Sequence, residues 1–187
     1  TAIPYVWIHP AVASLHDHPA VASPHDVGSI PLSLHQFREV DANGDVAASA
    51  GNGGVLASDT TPILRGNAAE TTEISWTAGN SDPISTQITL PKDFDGSGDV
   101  TIDFFLYSGT TDAANLVVET GWDGGALVSD TLVDTASATA HTTTATIAAA
   151  DIPNTATCLT LIITPPTHAT DAIGLLGVRI NYKCKAL

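Results

Sequence analysis

Basic residues are scarce in this chain. Six lysines and arginines stand against 20 aspartates and glutamates among 187 residues, so the formal net charge is −14. Direct binding to nucleic acid, or to an anionic membrane surface, needs clustered basic side chains, and this composition argues against both partners. A surplus of negative charge suits other roles. It is typical of a soluble surface particle, of a cation-binding site, or of a protein that docks onto a basic partner.

Aromatic side chains and long apolar runs are also few. Aromatic residues make up 5 % of the chain and charged residues 14 %, and alanine, glycine, serine and threonine take their place. This composition favours thin β-strands with small-residue loops over amphipathic helices. The sequence contains no run of about 18 apolar residues, which is the length that would predict a transmembrane helix. No signal peptide is visible, and Thr1 fits a protein made in a cytoplasm, with a processed precursor as the alternative.

Cysteine is nearly absent. The two cysteines, Cys158 and Cys184, lie in predicted strands and lack the CxxC spacing of a metal or redox site. We predict two reduced thiols, and a disulfide between neighbouring strands is the alternative.

A nine-residue unit occurs twice near the N-terminus. Residues 9–17 and 18–26 differ only at Leu15 and Pro24. A proline in every copy excludes a regular helix, and two copies are too few for a solenoid. We therefore predict an extended arm and linker over residues 1–33, ordered only against a partner, with a floppy leader as the alternative. The predicted partner-binding residues of the arm are Tyr5, Val6, Trp7, Ile8, His9 and His18.

From residue 34 to residue 187, strand patterns and turn residues alternate. After a short strand over residues 34–40, about eight more follow from Thr71 onward, with no helix between them. They cover residues 73–77, 84–90, 99–108, 115–122, 126–133, 140–147, 158–164 and 173–182. The pattern predicts an all-β, antiparallel β-sandwich body, and a jelly roll in particular. An immunoglobulin-like sandwich is the structural alternative, and the pattern leaves the strand order open.

Residues 99–108 have the clearest alternation in the chain, and we expect the body to pack around them. One face carries Val100, Ile102, Phe104 and Leu106, and the other carries Thr101, Asp103, Phe105 and Tyr107. The first set predicts a core-facing side. The two aromatic residues in the second set predict that the other side is partly covered too, as in a central strand.

Two motifs suggest metal ions. Asp93, Asp95 and Asp99 are spaced like the start of a calcium loop, but Phe104 stands where that loop needs a bidentate glutamate. An acidic hairpin turn is the alternative.

His16 and His18 form an H-x-H motif, which in a parallel trimer would offer six imidazoles to a transition metal on the axis. Surface groups on the arm are the alternative, and the clustered histidines would make docking pH-dependent.

No catalytic signature is present in the sequence. There is no G-x-S-x-G, phosphate loop or dinucleotide fingerprint, and no pair of carboxylates recognisably flanks a cleft. Trp76 and Trp122 are possible sugar-stacking platforms, but each lies in a predicted strand and is expected in the core. We therefore predict that the protein is not an enzyme.

Several short sequence segments resemble segments of structural proteins encoded by tailed bacteriophages and their metagenomic relatives. They are Phe37-Arg-Glu-Val-Asp41, Glu73-Ile-Ser-Trp76, Leu90-Pro-Lys-Asp-Phe-Asp95, Tyr107-Ser-Gly-Thr-Thr-Asp112, Arg179-Ile-Asn-Tyr182, and residues 53–64 and 163–172. The resemblance spans residues 34–183 and leaves out the repeat. It implies a virion component with a β-sandwich body, and it supplies no catalytic residues.

These observations predict a non-enzymatic virion protein, assembled in the host cytoplasm, that decorates and stabilises the capsid exterior. The arm would tie a homotrimer to the major capsid protein or to neighbouring copies. Two alternatives stay open. One is a tail-fibre or head-fibre subunit that binds host glycans, and the other is a secreted carbohydrate-binding β-sandwich module.

Overall fold

The computed structural model describes residues 26–41, 54–56, 62–66 and 72–185. Within these ranges the chain forms strands and two single-turn 3-10 helices, Leu34–Gln36 and Ala149–Asp151. The strands are β1 (Val27–Leu32), β2 (Arg38–Glu39), β3 (Ile63–Gly66), β4 (Thr72–Trp76), β5 (Ile84–Thr89), β6 (Val100–Tyr107), β7 (Val117–Trp122), β8 (Leu127–Thr131), β9 (His141–Ile147), β10 (Cys158–Thr164) and β11 (Ile173–Lys183). In the described ranges, no helix is long and apolar enough to cross a membrane.

The strands form two antiparallel sheets. The first has the order β3-β4-β11-β6-β9, and β1 also pairs with β11; the second has the order β2-β5-β10-β7-β8. From β4 onward, β4-β11-β6-β9 lie in one sheet and β5-β10-β7-β8 in the other, which is the eight-strand arrangement of a jelly roll. The structure therefore confirms the predicted antiparallel β-sandwich, and β4–β11 are the eight strands predicted after Thr71.

Strand β6 confirms the predicted separation of its two faces. Its residues alternate between buried and half-buried along the whole strand. Val100, Ile102, Phe104 and Leu106 have no exposed surface and join the core. Because β6 lies between β11 and β9, both of its backbone edges are hydrogen-bonded. It is thus a central strand, and its outer side chains lie among those of its neighbours.

The first sheet begins earlier in the chain than the sequence pattern indicated. Residues 27–33 were assigned to the linker, but Val27–Leu32 form β1, which pairs antiparallel with the second half of β11. Two residues of β1 are of types common in turns, and the structure explains each of them. Gly28 is needed because a Cβ there would lie 2.1 Å from Cζ of Tyr182. Pro31 is tolerated because β1 pairs on one side only.

The strand predicted over residues 34–40 is also partly wrong. Leu34–Gln36 form a 3-10 turn instead, and only Arg38–Glu39 are extended and paired, as β2. Ser33 caps the turn because its hydroxyl accepts a hydrogen bond from the backbone N–H of His35 at 3.4 Å. The turn buries the side chain of Leu34.

Both cysteines are free thiols, as predicted. Cys158 lies in β10 and Cys184 follows β11, and each is half-buried.

Replacement of Phe104 by alanine tests the core. Phe104 is fully buried in β6, so the change removes its apolar contacts and leaves a cavity. We expect the free energy of unfolding, measured by urea denaturation, to fall by about 3–5 kcal/mol. Val133→Ala is the control, since Val133 is 92 % exposed and should change stability by less than about 0.5 kcal/mol. Equal effects of the two changes would contradict this description of the core.

A second test uses pH. The carboxylate of Asp134 lies 2.6 Å from Nε2 of His141, and this hydrogen bond raises the pKa of His141 above 6.5. A raised folded-state pKa stabilises the protein below the unfolded pKa, and this stabilisation is lost as pH rises through the folded value. Urea denaturation should therefore show a stability advantage of the wild type over His141→Gln that is complete below about pH 6 and shrinks as the pH rises through the raised folded-state pKa of His141. Asp134→Asn should lose the same pH-dependent contribution, and an advantage that grows with pH would contradict the interaction.

Candidate functional site

Most aromatic side chains of the described residues are in the core. The buried ones are Phe37, Trp76, Phe94, Phe104, Trp122 and Tyr182. Trp76 and Trp122 are thus core residues, as predicted, with 0 % and 3 % exposure. Phe105 and Tyr107, both half-buried, are the aromatic residues of the described ranges that reach the surface. They point outward from β6, so the outer surface of the first sheet is the place where stacking on a ring is possible.

This surface has a defined set of neighbouring side chains, which we call the aromatic face. Its members are Arg65 on β3, Glu73 on β4, Asp103, Phe105 and Tyr107 on β6, Thr144 on β9, and Arg179 and Asn181 on β11. They come together because β4, β11, β6 and β9 are adjacent strands.

Two glycines of β11 make room for the rings. Gly174 pairs with Tyr107, and Gly177 pairs with Phe105. A Cβ on Gly174 would lie 2.2 Å from Cε1 of Tyr107, so the ring extends across the bare backbone of the next strand. A Cβ on Gly177 would lie 3.4 Å from Cδ2 of Phe105, an ordinary contact distance. Gly174 therefore sets the position of Tyr107, because any larger residue there would displace the ring.

Tyr107 is also fixed at its polar end. Its hydroxyl donates a hydrogen bond to Oε2 of Glu73 at 2.9 Å, and Nε of Arg65 donates to Oε1 at 2.8 Å. Glu73 has no exposed surface, and the two bonds engage both of its oxygens. Burial and the bond to Glu73 raise the pKa of Tyr107, while the same carboxylate raises the pKa of Arg65. The phenol is consequently a neutral donor held in one orientation.

Asp103 is satisfied in a similar way within the aromatic face. Its Oδ2 accepts a hydrogen bond from Nδ2 of Asn181 at 2.9 Å, and its Oδ1 accepts one from the Thr144 hydroxyl at 2.8 Å. The side chain of Arg179 lies over the Phe105 ring, with Cζ 5.1 Å from the ring centroid. A guanidinium at this distance is attracted to the electron-rich face of the ring.

The outer surface of the second sheet is different in character. It carries an open cleft of about 310 Å³ lined by Gln36, Arg38, Val40, Ser85, Thr86, Gln87 and Thr160. Arg38 is held by its own backbone neighbours, since it donates to the carbonyl oxygens of His35 and Phe37 at 3.2 and 3.1 Å. Among the described residues, no aromatic side chain lines this cleft, which therefore differs from the aromatic face.

The three aspartates of the predicted calcium loop are not brought together as a ligand set. Asp93 accepts a hydrogen bond from the Tyr182 hydroxyl at 3.2 Å, and Asp99 accepts one from the backbone N–H of Ala149 at 2.8 Å. Asp95 caps its own turn, and the N–H of Ser97 together with Lys183 lowers its pKa to about 2. The described ranges contain no group of three or more histidine, cysteine, aspartate or glutamate side chains placed to hold a metal ion.

The predicted arm residues lie outside the described ranges. They are Tyr5, Val6, Trp7, Ile8 and His9, together with the H-x-H pair His16 and His18. Their roles in partner binding and in metal binding stay predictions.

Sequence reasoning placed Asp103, Phe105 and Tyr107 together on the partly covered outer face of one strand, but it did not bring Arg65 and Glu73 to that face. Glu73 and Arg65 are far from Tyr107 in sequence and become neighbours only through strand order. Gly174 and Gly177 carried a usable signal, because glycines inside a strand indicate a close approach to the backbone.

Comparison with known proteins gives a fold and no family. No protein-family model matches the chain, and no curated protein sequence matches it. Among solved structures it resembles a xylan-binding module, CBM15, with a TM-score of 0.52 and 13 % identity over 85 % of this chain and 99 % of that one. It also resembles Xylanase10C (mutant E385A) from Cellvibrio japonicus in complex with xylopentaose, with a TM-score of 0.51 and 14 % identity. That match covers 82 % of this chain and 28 % of the xylanase. At these identities the likeness shows the shared β-sandwich fold alone.

The Tyr107–Glu73 bond can be tested by a double-mutant cycle. Tyr107→Phe leaves one oxygen of a buried carboxylate without a donor, and we expect it to lower the free energy of unfolding by about 1–3 kcal/mol. In the Glu73→Gln background the same change should cost less, because no buried charge is left unsatisfied. Equal costs of Tyr107→Phe in both backgrounds, measured by urea denaturation, would mean that the bond does not stabilise the fold.

Proposed function

We propose that this chain is a non-catalytic carbohydrate-binding module, and that the aromatic face is its glycan site. The observation that carries the proposal is the pair of half-buried, outward-facing rings, Phe105 and Tyr107, on one side of a central strand. Tyr107 is held in place by Gly174 beneath it and by Glu73 at its hydroxyl. A ring fixed in advance costs little conformational entropy when a ligand stacks on it.

The chemistry around the rings suits a sugar. The apolar faces of a pyranose can pack on aromatic rings, while the hydroxyl groups at its edge need hydrogen-bonding partners. Arg179 lies over the Phe105 ring and offers such donors there, while Thr144 and Asn181 lie further along the same face, opposite Asp103 and Thr101. Phe105 and Tyr107 are two residues apart on one strand, about 6–7 Å along β6. The face therefore offers successive contacts to an extended glycan rather than one pocket for a monosaccharide.

The structural comparisons support the same reading. A module named for xylan binding shares the fold over nearly its whole length, and the xylanase was solved with xylopentaose. Those ligands belong to those proteins, and here they favour a polysaccharide as the class of ligand to test first.

Two carboxylates on the aromatic face argue for binding without hydrolysis. Glycoside hydrolysis needs a pair of carboxyl groups that flank the scissile bond and exchange protons with it. Both oxygens of Glu73 and both oxygens of Asp103 already accept hydrogen bonds from protein side chains. Each of these oxygens is held by a protein donor, and this arrangement favours a structural role for both carboxylates in the proposed site.

The predicted virion setting stays a prediction, with the capsid partner, the trimer and the decorating role that belong to it. A glycan site is compatible with the fibre-subunit alternative, in which the same face would bind host glycans. It is equally compatible with a secreted module.

The proposal predicts that ring removal abolishes binding. We expect calorimetric titration with xylohexaose, or with the best ligand of a glycan panel, to show at least about tenfold weaker binding for Phe105→Ala and for Tyr107→Ala. Gln87→Ala, in the cleft of the second sheet, is the matched control and should bind as the wild type does. Thermal unfolding of each variant checks that the fold is retained. Absence of any glycan ligand, or loss of binding in Gln87→Ala alone, would refute the proposal.

A further inference from the structure

The polar groups of the aromatic face differ in how many hydrogen bonds and ion pairs they form within the protein. Glu73 and Asp103 each accept hydrogen bonds at both oxygens, and the Arg65 guanidinium is engaged by Glu73. Arg179 is the exception. It is exposed, and among the described residues it forms no ion pair or side-chain hydrogen bond. Its contact is with the Phe105 ring, because the guanidinium lies over one face of that ring with Cζ 5.1 Å from the centroid.

A guanidinium that has no ion pair and contacts the proposed sugar-stacking ring favours a ligand with a negatively charged group. Arginine presents its N–H donors in a planar fork that matches the two oxygens of a carboxylate. Hydroxyl groups can accept from such a fork, but they satisfy neither its charge nor its paired geometry. Resting on the proposed function, we infer that the glycan recognised by this face carries a uronic acid, whose carboxylate pairs with Arg179.

The overall charge limits how many carboxylates the ligand carries. Arg65 and Glu73 form an ion pair at 2.8 Å, and Arg179 and Asp103 are opposite charges on neighbouring strands. The aromatic face is therefore close to neutral, while the whole chain carries −14. A run of contiguous uronates would be repelled by the rest of the surface, whereas one isolated carboxylate meets Arg179 at short range. The inferred ligand is thus a neutral glycan chain bearing isolated uronate branches.

Three oligosaccharides of equal length distinguish the possibilities by calorimetric titration. They are an unbranched xylo-oligosaccharide, the same chain with a single glucuronate branch, and an oligogalacturonate. We expect the branched chain to bind about tenfold more tightly than the unbranched one, and more tightly than the oligogalacturonate. Added salt should reduce the advantage of the branched chain only modestly, because the pairing is at short range.

Variants of the arginine identify the residue responsible. The quantity to compare is the ratio of affinities for the branched and unbranched chains. Arg179→Gln should bring this ratio close to one, and Arg179→Lys should leave an intermediate value because lysine keeps the charge without the fork. Arg38→Gln, on the other sheet, should leave the ratio as in the wild type.

Each outcome has a separate meaning. If the wild type binds both xylo-oligosaccharides equally, the uronate inference is wrong while carbohydrate binding stands. If the ratio is unchanged in Arg179→Gln, another residue selects the carboxylate and the assignment to Arg179 is wrong. If oligogalacturonate binds most tightly, the isolated-branch inference is wrong. If no member of a wide glycan panel binds, the proposed function fails, and the inference with it.

Discussion

The antiparallel pairing of β6 with β11 is the constraint on which both the core and the candidate site depend. Its register sets Phe104 opposite Val178 on the inner side and Tyr107 opposite Gly174 on the outer side. Side chains alternate along a strand, so a slip of one residue would move the apolar set of β6 to the surface and the polar set into the core. The same ladder therefore closes the sandwich and places the only outward rings of the described residues over a bare backbone.

Sequence reasoning worked where the physical signal is local. The alternation along residues 100–107 predicted both faces of β6, and the turn residues separated β4–β11 correctly. It failed at Val27–Leu32, where Gly28 and Pro31 resemble linker residues. Gly28 is there because Tyr182 occupies the space of its side chain, and this is a contact between opposite ends of the described chain. Such a reason cannot be read from neighbouring residues.

The two candidate sites also differ in whether their residues form a local pattern in the sequence. The aspartates 93, 95 and 99 have the local spacing of a calcium loop, but the structure uses each for a different hydrogen bond. The aromatic face has no local motif, and its Arg65, Glu73, Tyr107 and Arg179 come from four strands. Local spacing therefore does not show whether three carboxylates converge, and it cannot reveal a surface whose side chains come from four different strands.

The position of β11 has a consequence for how this molecule folds. β11 is the last strand described, and it lies between β6 on one side and β1 and β4 on the other. Until residues 173–183 have been synthesised, β1 and β4 have no connection to β6 through the sheet, and the ring of Tyr107 has no surface to lie on. Pairing between strands so distant in sequence is entropically costly and slow to form. We therefore expect the first sheet, and the aromatic face with it, to assemble late in folding, after the local hairpin of β7 and β8.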